Sequence, residues 1–272
     1  MEMYLELLAK TLTNSIYEDR LPSASEVEIN TLEEVLAELK CENVSFNISA
    51  KELAQILQYT KKSRNVHTFV SERALRNIAD CIEAVKASGV QGDVIDCGVL
   101  RGGTSIFMAG VLKHHGMDRK LYVADSFQGL PAPSAKESTF AREFWYKYAD
   151  RLSEYNLSCF ASKADVISNF EKYNLISHGV IFLEGWFAET LSSLPVSTQF
   201  SLIRIDADWY QSTMDALSHT YPYLSTGGYV IVDDYLLEGC KQAVDEYRSV
   251  HDITSPIEIA DERNGVVFWQ KK

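Results

Sequence analysis

Apolar residues recur along this chain in two rhythms. Between residues 3 and 17, Tyr4, Leu5, Leu7, Leu8, Leu12 and Ile16 fall on one broad helical stripe. An acidic stretch, 18–40, follows, with Pro22 near its start. Ser49 and Glu52 have the spacing of a capping box, which predicts a helix running to about Lys61. A polar loop then leads into a long amphipathic helix with Ile78, Ile82 and Val85 inward. From Asp93 the rhythm changes to short apolar runs separated by helical ones. DVIDCG reads as a buried strand, GGTSIFMAGVLKHHG as a helix and KLYVADS as a second strand. A helix at 164–173, a strand at 179–184 and a turn plus helix at 185–191 come next. Strands at 201–205 and 229–232 flank a helix and the Ser225–Gly228 turn. LEGCKQAVDEYRSVH is a last helix, and the tail closes as a hairpin turning at Asn264–Gly265.

Such alternation predicts an α/β fold: a doubly wound, mostly parallel sheet covered by helices on both faces, ending in an antiparallel hairpin. Residues 1–90 are expected to form a helical extension that caps the sheet and covers whatever binds in its crevice, and 91–272 the α/β unit itself. A chain of 272 residues is long enough for one large core of this kind.

Composition narrows the partners. A net charge of −12 argues against nucleic acid and against an anionic membrane surface. The opening MEMYLELLAKTLTN lacks a basic segment followed by an apolar one, so no secretory signal is expected. No apolar run approaches the roughly 20 residues that span a bilayer. Five cysteines, odd in number and without a CxxC pair, read as free thiols in a reducing compartment. A cytoplasmic protein is the expectation, with self-association left open.

The chemistry concentrates in DADWYQSTMDALSHTYPYLSTGGYVIVDD. Its two strands deliver Asp206 and Asp208, then Asp233 and Asp234, to their carboxyl ends, where open α/β sheets bind ligands. Four carboxylates in one crevice need a cation or a proton. Oxygen ligands without His or Cys suit a hard ion such as Mg2+. The plainer reading is that these aspartates cap the following helices and stay solvated.

At the other end of the crevice the first strand runs into Asp96-Cys97-Gly98-Val99-Leu100-Arg101-Gly102-Gly103-Thr104. Glycines there let backbone approach a ligand, and a helix starts at once. The spacing is GxxxGG and not GxGxxG, and the acid before the first glycine suits a cationic amino group or ribose hydroxyls better than a pyrophosphate. The second strand ends in Asp125-Ser126, where an acid commonly holds ribose hydroxyls. The pair favours S-adenosylmethionine over NAD.

These stretches, with YVADSFQGLP, FLEGWFAETL and the early YLELLAKTLTNSIYED, resemble the macrocin O-methyltransferase family. Its members are class I methyltransferases that act on sugar hydroxyls of antibiotic-type natural products. The likeness covers residues 4–19 and 67–269. It implies a Mg2+ site at Asp206, Asp233 and Asp234, with Asp208 as general base. It further implies cofactor contacts from Thr68, Asp96, Gly98, Arg101, Gly102, Gly103, Thr104, Asp125, Ser126, Gln128 and the Glu184–Gly185–Trp186 turn. The chain departs from the family pattern in HTFVS for HTMIG, Asp96 for Glu, GVLRGG for GVWRGG and DAD for DGD. Residues 21–66 match it poorly, and that part faces the acceptor in relatives.

The implied reaction methylates a hydroxyl, of a vicinal diol if two oxygens share the cation. A catechol-type O-methyltransferase is the neighbouring alternative, and a NAD(P)-binding oxidoreductase or nucleotide-binding module the distant one. The aromatic-rich segment 127–160 is long for a loop and reads either as a lid or as an amphipathic helix on the sheet. His67, His114 and His115 read as packing and helix-end residues and not as ligands.

Overall fold

A computed structural model describes residues 3–15, 66–139 and 160–272, with positions 30, 33, 34, 37, 141, 142, 145 and 146 besides. The expected capping box at Ser49 and Glu52 lies outside the described residues, as does most of the aromatic-rich segment beyond 139. Among the described residues the strands are β1 (Asp93–Cys97), β2 (Leu121–Asp125), β3 (Val180–Glu184), β4 (Phe200–Ile205), β5 (Leu224–Val232), β6 (Glu258–Asp261) and β7 (Val266–Gln270). The α-helices are α1 (Met3–Leu12), α2 (Glu72–Ala87), α3 (Gly103–His114), α4 (Lys163–Lys172), α5 (Phe187–Thr190), α6 (Tyr210–Thr220) and α7 (Glu238–Val250).

The strands form one sheet in the order β3-β2-β1-β4-β5-β7-β6. The first five are parallel; β7 runs antiparallel to β5, and β6 to β7. Successive side chains of a strand point to opposite faces, and this splits the core in two. Val94, Val123, Leu202 and Ile231 face α1–α4, where they pack with Leu5, Leu75, Ile78, Phe107 and Phe170. Ile95, Ala124, Ile203 and Val230 face α5–α7 and pack with Leu191, Leu217 and Val244. The β1 and β4 strands are covered on both sides, which is why their sequences read as continuous apolar runs.

α2 begins where Ser71 accepts a hydrogen bond from the Ala74 amide (3.1 Å), and it buries Ile78, Ile82 and Val85. α1 and α2 contribute to the same core as the strands. The described part of residues 1–90 therefore forms no core of its own. His114 stacks on Tyr4 with ring centroids 5.8 Å apart, and His115 lies 3.3 Å from Glu83.

One element differs from expectation. β5 starts at Leu224 and absorbs the anticipated Ser225–Gly228 turn as an irregular stretch, its register shifting against Phe200–Leu202. The cause is the chain's end: the Gly227 amide donates to Lys271 O (2.7 Å), and Lys271 Nζ donates to Leu224 O (2.8 Å). These bonds hold as strand what local sequence marks as turn.

Strand order reverses between β1 and β4, since β1 continues outward to β2 and β4 to β5. The carboxyl ends of that central pair open the crevice in which such sheets bind ligands.

Candidate active site

At this crevice the ends of β1 and β4 abut. The Asp206 amide donates to Cys97 O (2.8 Å). Gly98 adopts φ +84, and a Cβ there would stand 1.7 Å from Asp206 O. Only glycine fits both the backbone angle and the contact.

Asp96 corrects one expectation. Its side chain is fully buried, with Oδ2 accepting from the hydroxyls of Thr104 (2.7 Å) and Ser105 (2.6 Å) and Oδ1 from Arg204 (2.9 Å). It braces the glycine turn from beneath and is not among the residues that line the cavity over it. The reason is strand parity: Asp96 shares the face of Val94, which points into the core.

Asp125 does reach the crevice. One carboxylate oxygen accepts from the amides of Val99 (2.8 Å) and Leu100 (3.4 Å), the other from Phe127 (2.7 Å). Burial raises its pKa, against these three amide bonds. The Ser126 hydroxyl donates to Gly129 O (3.0 Å) and accepts from the Gln128 amide (3.0 Å).

A cavity of about 540 Å³ opens over this surface. Thr68, Gly98, Thr104, Asp125, Ser126, Gly185 and Trp186 line it, as do Asp206, Asp208, Asp233 and Asp234. Five other expected cofactor residues stand outside that lining. Arg101 donates to Val66 O (3.0 Å) and covers the Phe69 ring at 5.6 Å. Gly102 is the left-handed N-cap of α3, and Gly103 donates to His67 O (3.0 Å). Gln128 is exposed, and Glu184 pairs with Lys163 at 3.1 Å.

The residue that sequence reading missed is Arg204. It sits in β4 with its side chain 1% exposed. Nη1 donates to Asp96 Oδ1 (2.9 Å); Nη2 donates to Asp206 Oδ2 and Asp233 Oδ2, both at 2.7 Å. A guanidinium cannot shed its proton here and is held charged by the three carboxylates against its burial. Its planar fork ties the β1, β4 and β5 ends into one network. The available signal was a charged residue inside the otherwise apolar FSLIRI run.

The trio brought closest is Asp206, Asp208 and Asp234, each offering an oxygen within 4.8 Å of the others. It differs from the expected Asp206, Asp233 and Asp234 in holding Asp208 in place of Asp233. Oxygen donors at this spacing fit a hard divalent cation.

Crowding raises the proton affinity of Asp208, Asp233 and Asp234. Burial and the charges of Asp206, Asp233 and Glu137 push Asp208 up to about 7. Burial and Asp206 push Asp233 up to about 6, with Arg204 pulling the other way. Burial and the charges of Asp206, Asp208 and Asp233 raise Asp234 as well. In the unfolded chain these carboxyls return toward 3.8. The folded, cation-free protein thus binds more protons than the unfolded chain between roughly pH 4 and 7, and its stability falls as pH rises through that window. A divalent cation bound at this cluster would compete with those protons. Thermal melts in chelator and in Mg2+ should show a larger stabilisation by Mg2+ near pH 8 than near pH 5; an equal or larger effect at the acid end would contradict the cluster's role.

Comparison with known proteins places the chain in a family. The family profile described as macrocin-O-methyltransferase (TylF) matches residues 1–271. The chain is 38% identical over 271 residues to a Streptomyces olivaceus protein, 8-demethyl-8-(2,3-dimethoxy-alpha-L-rhamnosyl)-tetracenomycin-C 4'-O-methyltransferase, covering 99% of this chain and 92% of that one. It is 38% identical over 275 residues to demethyldecarbamoylnovobiocin O-methyltransferase from Streptomyces niveus, covering 99% and 93%. Among solved structures, the O-methyltransferase NovP superposes with a TM-score of 0.75 at 33% identity, covering 99% of this chain and 98% of that one. The seven-stranded sheet is thus the Rossmann-like class I methyltransferase sheet. With a glycine turn at one end of the cavity and clustered carboxylates at the other, this chain belongs to the macrocin O-methyltransferase family and is an S-adenosylmethionine-dependent O-methyltransferase.

Proposed function

We propose that this enzyme methylates a hydroxyl, one of a vicinal diol, on the sugar of a glycosylated secondary metabolite, and that it uses a divalent cation, Mg2+ by its donor set. The observation that carries the reading is the convergence of four aspartates from the ends of β4 and β5 on the cavity that Asp125 and the Gly98 turn also line. The relative from Streptomyces olivaceus is named for O-methylation of a rhamnosyl tetracenomycin, which supports a sugar acceptor.

The roles divide along the line drawn by Arg204. Its guanidinium holds one oxygen each of Asp206 and Asp233 at 2.7 Å and so fixes the direction of both carboxylates. These two, with Asp234, are the proposed cation ligands. Asp208 belongs to the same close cluster but is not bound by Arg204, and its carboxylate is the proposed general base. At the other end Gly98, Asp125, Ser126, Gly185 and Trp186 are proposed to seat the cofactor. S-adenosylmethionine supplies the methyl group as a sulfonium, and a bound Mg2+ would lower the pKa of an acceptor hydroxyl and fix its direction. Asp208 then takes the hydroxyl proton as the oxygen acquires the methyl. Holding the two ends of the cavity in line contributes much of the acceleration.

The division has a direct test in Mn2+ titrations of Asp233→Asn and Asp208→Asn. Asp233→Asn should lose cation affinity and Asp208→Asn should keep it. The reverse outcome would make the close trio the ligand set and leave the proton to another group.

A further inference from the structure

The segment after β2 makes its own contribution to the carboxylate cluster. Glu137 is buried, and its Oε1 accepts from the Tyr210 amide at 2.8 Å. Tyr210 is the first residue of α6, the helix that follows Asp206 and Asp208. The N-cap of that helix, Trp209, makes no side-chain cap hydrogen bond, so Glu137 supplies the cap from 73 residues away. The other oxygen of Glu137 lies over Gly239 in the first turn of α7, where a Cβ would meet Oε2 at 1.9 Å. α7 is the helix that follows Asp233 and Asp234, and its N-cap, Leu237, makes no side-chain cap bond either. One carboxylate therefore stands between the positive ends of both helices whose preceding turns carry the aspartates.

Two further contacts hold the segment there. The Trp209 indole donates to Pro131 O (3.0 Å), and Lys136 Nζ covers the Tyr210 ring at 4.8 Å. Asp208, next to Trp209, is a non-glycine residue at φ +55, an angle that persists only where surrounding contacts fix it.

From these contacts we infer that Glu137 is a positioning residue for the cation site, setting the spacing of the Asp206–Asp208 turn against the Asp233–Asp234 turn by bridging α6 and α7. The inference rests on the cation reading above. It gives the segment after β2 a task beyond covering the cavity: its docking completes the metal-binding geometry.

The test uses the full chain and Mn2+ alone, followed by electron paramagnetic resonance, with calorimetry of S-adenosylhomocysteine as a separate readout. Glu137→Asp keeps the charge but is too short to bridge both helices. It should lose about 10-fold or more in Mn2+ affinity, the usual cost of removing a partner that orients a metal ligand. Glu137→Gln keeps the reach and the Oε1 acceptor, and should bind Mn2+ nearly as the parent does. Gly239→Ala, which displaces Oε2 from the other side, should resemble Glu137→Asp. All three should bind S-adenosylhomocysteine like the parent, which a general loosening of the fold would not allow. Parent-like Mn2+ affinity in Glu137→Asp overturns the inference, and so does an equal loss in Glu137→Gln, which would make charge the cause and not reach. A parent that takes up no Mn2+ removes the cation reading itself, and this inference with it.

Discussion

Replacing Arg204 by Met is expected to destabilise the protein by about 3–5 kcal/mol, the cost of removing one partner from a buried ion network. The magnitude follows from what remains. Asp96 is fully buried and would keep only the hydroxyls of Thr104 and Ser105, while Asp206 and Asp233 would face each other without a shared cation. A native domain holds only about 5–15 kcal/mol in total, so the variant stands near the edge of folding. Arg204→Lys keeps the charge but not the fork, and cannot donate to all three carboxylates in the same geometry. It should fall between parent and Met. Adding Asp96→Asn to Arg204→Met should recover part of the loss, because it removes the buried charge left unpaired. Urea unfolding measures all three. A midpoint for Arg204→Met indistinguishable from the parent would show that the network contributes little.

The second large effect is catalytic. Asp208→Asn keeps the shape of the side chain and removes its proton affinity. Loss of a well-placed general base costs about 10²- to 10⁴-fold in rate. In single-turnover methyl transfer at saturating Mg2+ the deficit should appear in the chemical step, with cofactor and acceptor affinities close to the parent's. Asp206→Asn should differ by weakening cation binding as well as rate. If Asp208→Asn transfers methyl at nearly the parent rate, another group accepts the proton and the role given to Asp208 is wrong.

Much of this arrangement was legible in the sequence because it depends on local rules. The apolar runs of β1, β4 and β5 are strands buried on both faces, and their order fixes which ends meet. The aspartates at those ends, and the glycine at the β1 turn, follow from the ligand geometry of parallel sheets. What was not legible depends on side-chain direction and long-range contact. Asp96 was read as facing a ligand, though its parity with Val94 puts it in the core beside Arg204. Arg204 was overlooked because its neighbours Leu202, Ile203 and Ile205 make the run look plainly apolar. A buried charge needs partners, and three aspartates at adjacent strand ends were the partners on offer. Glu137 had no local signal, since both helix ends it meets come from distant parts of the chain. The β5 bulge was likewise concealed, because the bonds that hold Gly227 and Gly228 come from Lys271.

A divalent cation held by the β4 and β5 aspartates is proposed to assist methylation of a sugar hydroxyl. The most direct test incubates the protein with S-adenosylmethionine and paired glycosides and aglycones, in Mg2+ or in excess chelator, and follows S-adenosylhomocysteine and methylated product by mass spectrometry. The account predicts a methylated glycoside in Mg2+, none in chelator, restoration when Mg2+ is returned, and no product from the aglycone. Undiminished transfer in chelator, or methylation of an aromatic diol on the aglycone in place of the sugar, would contradict it.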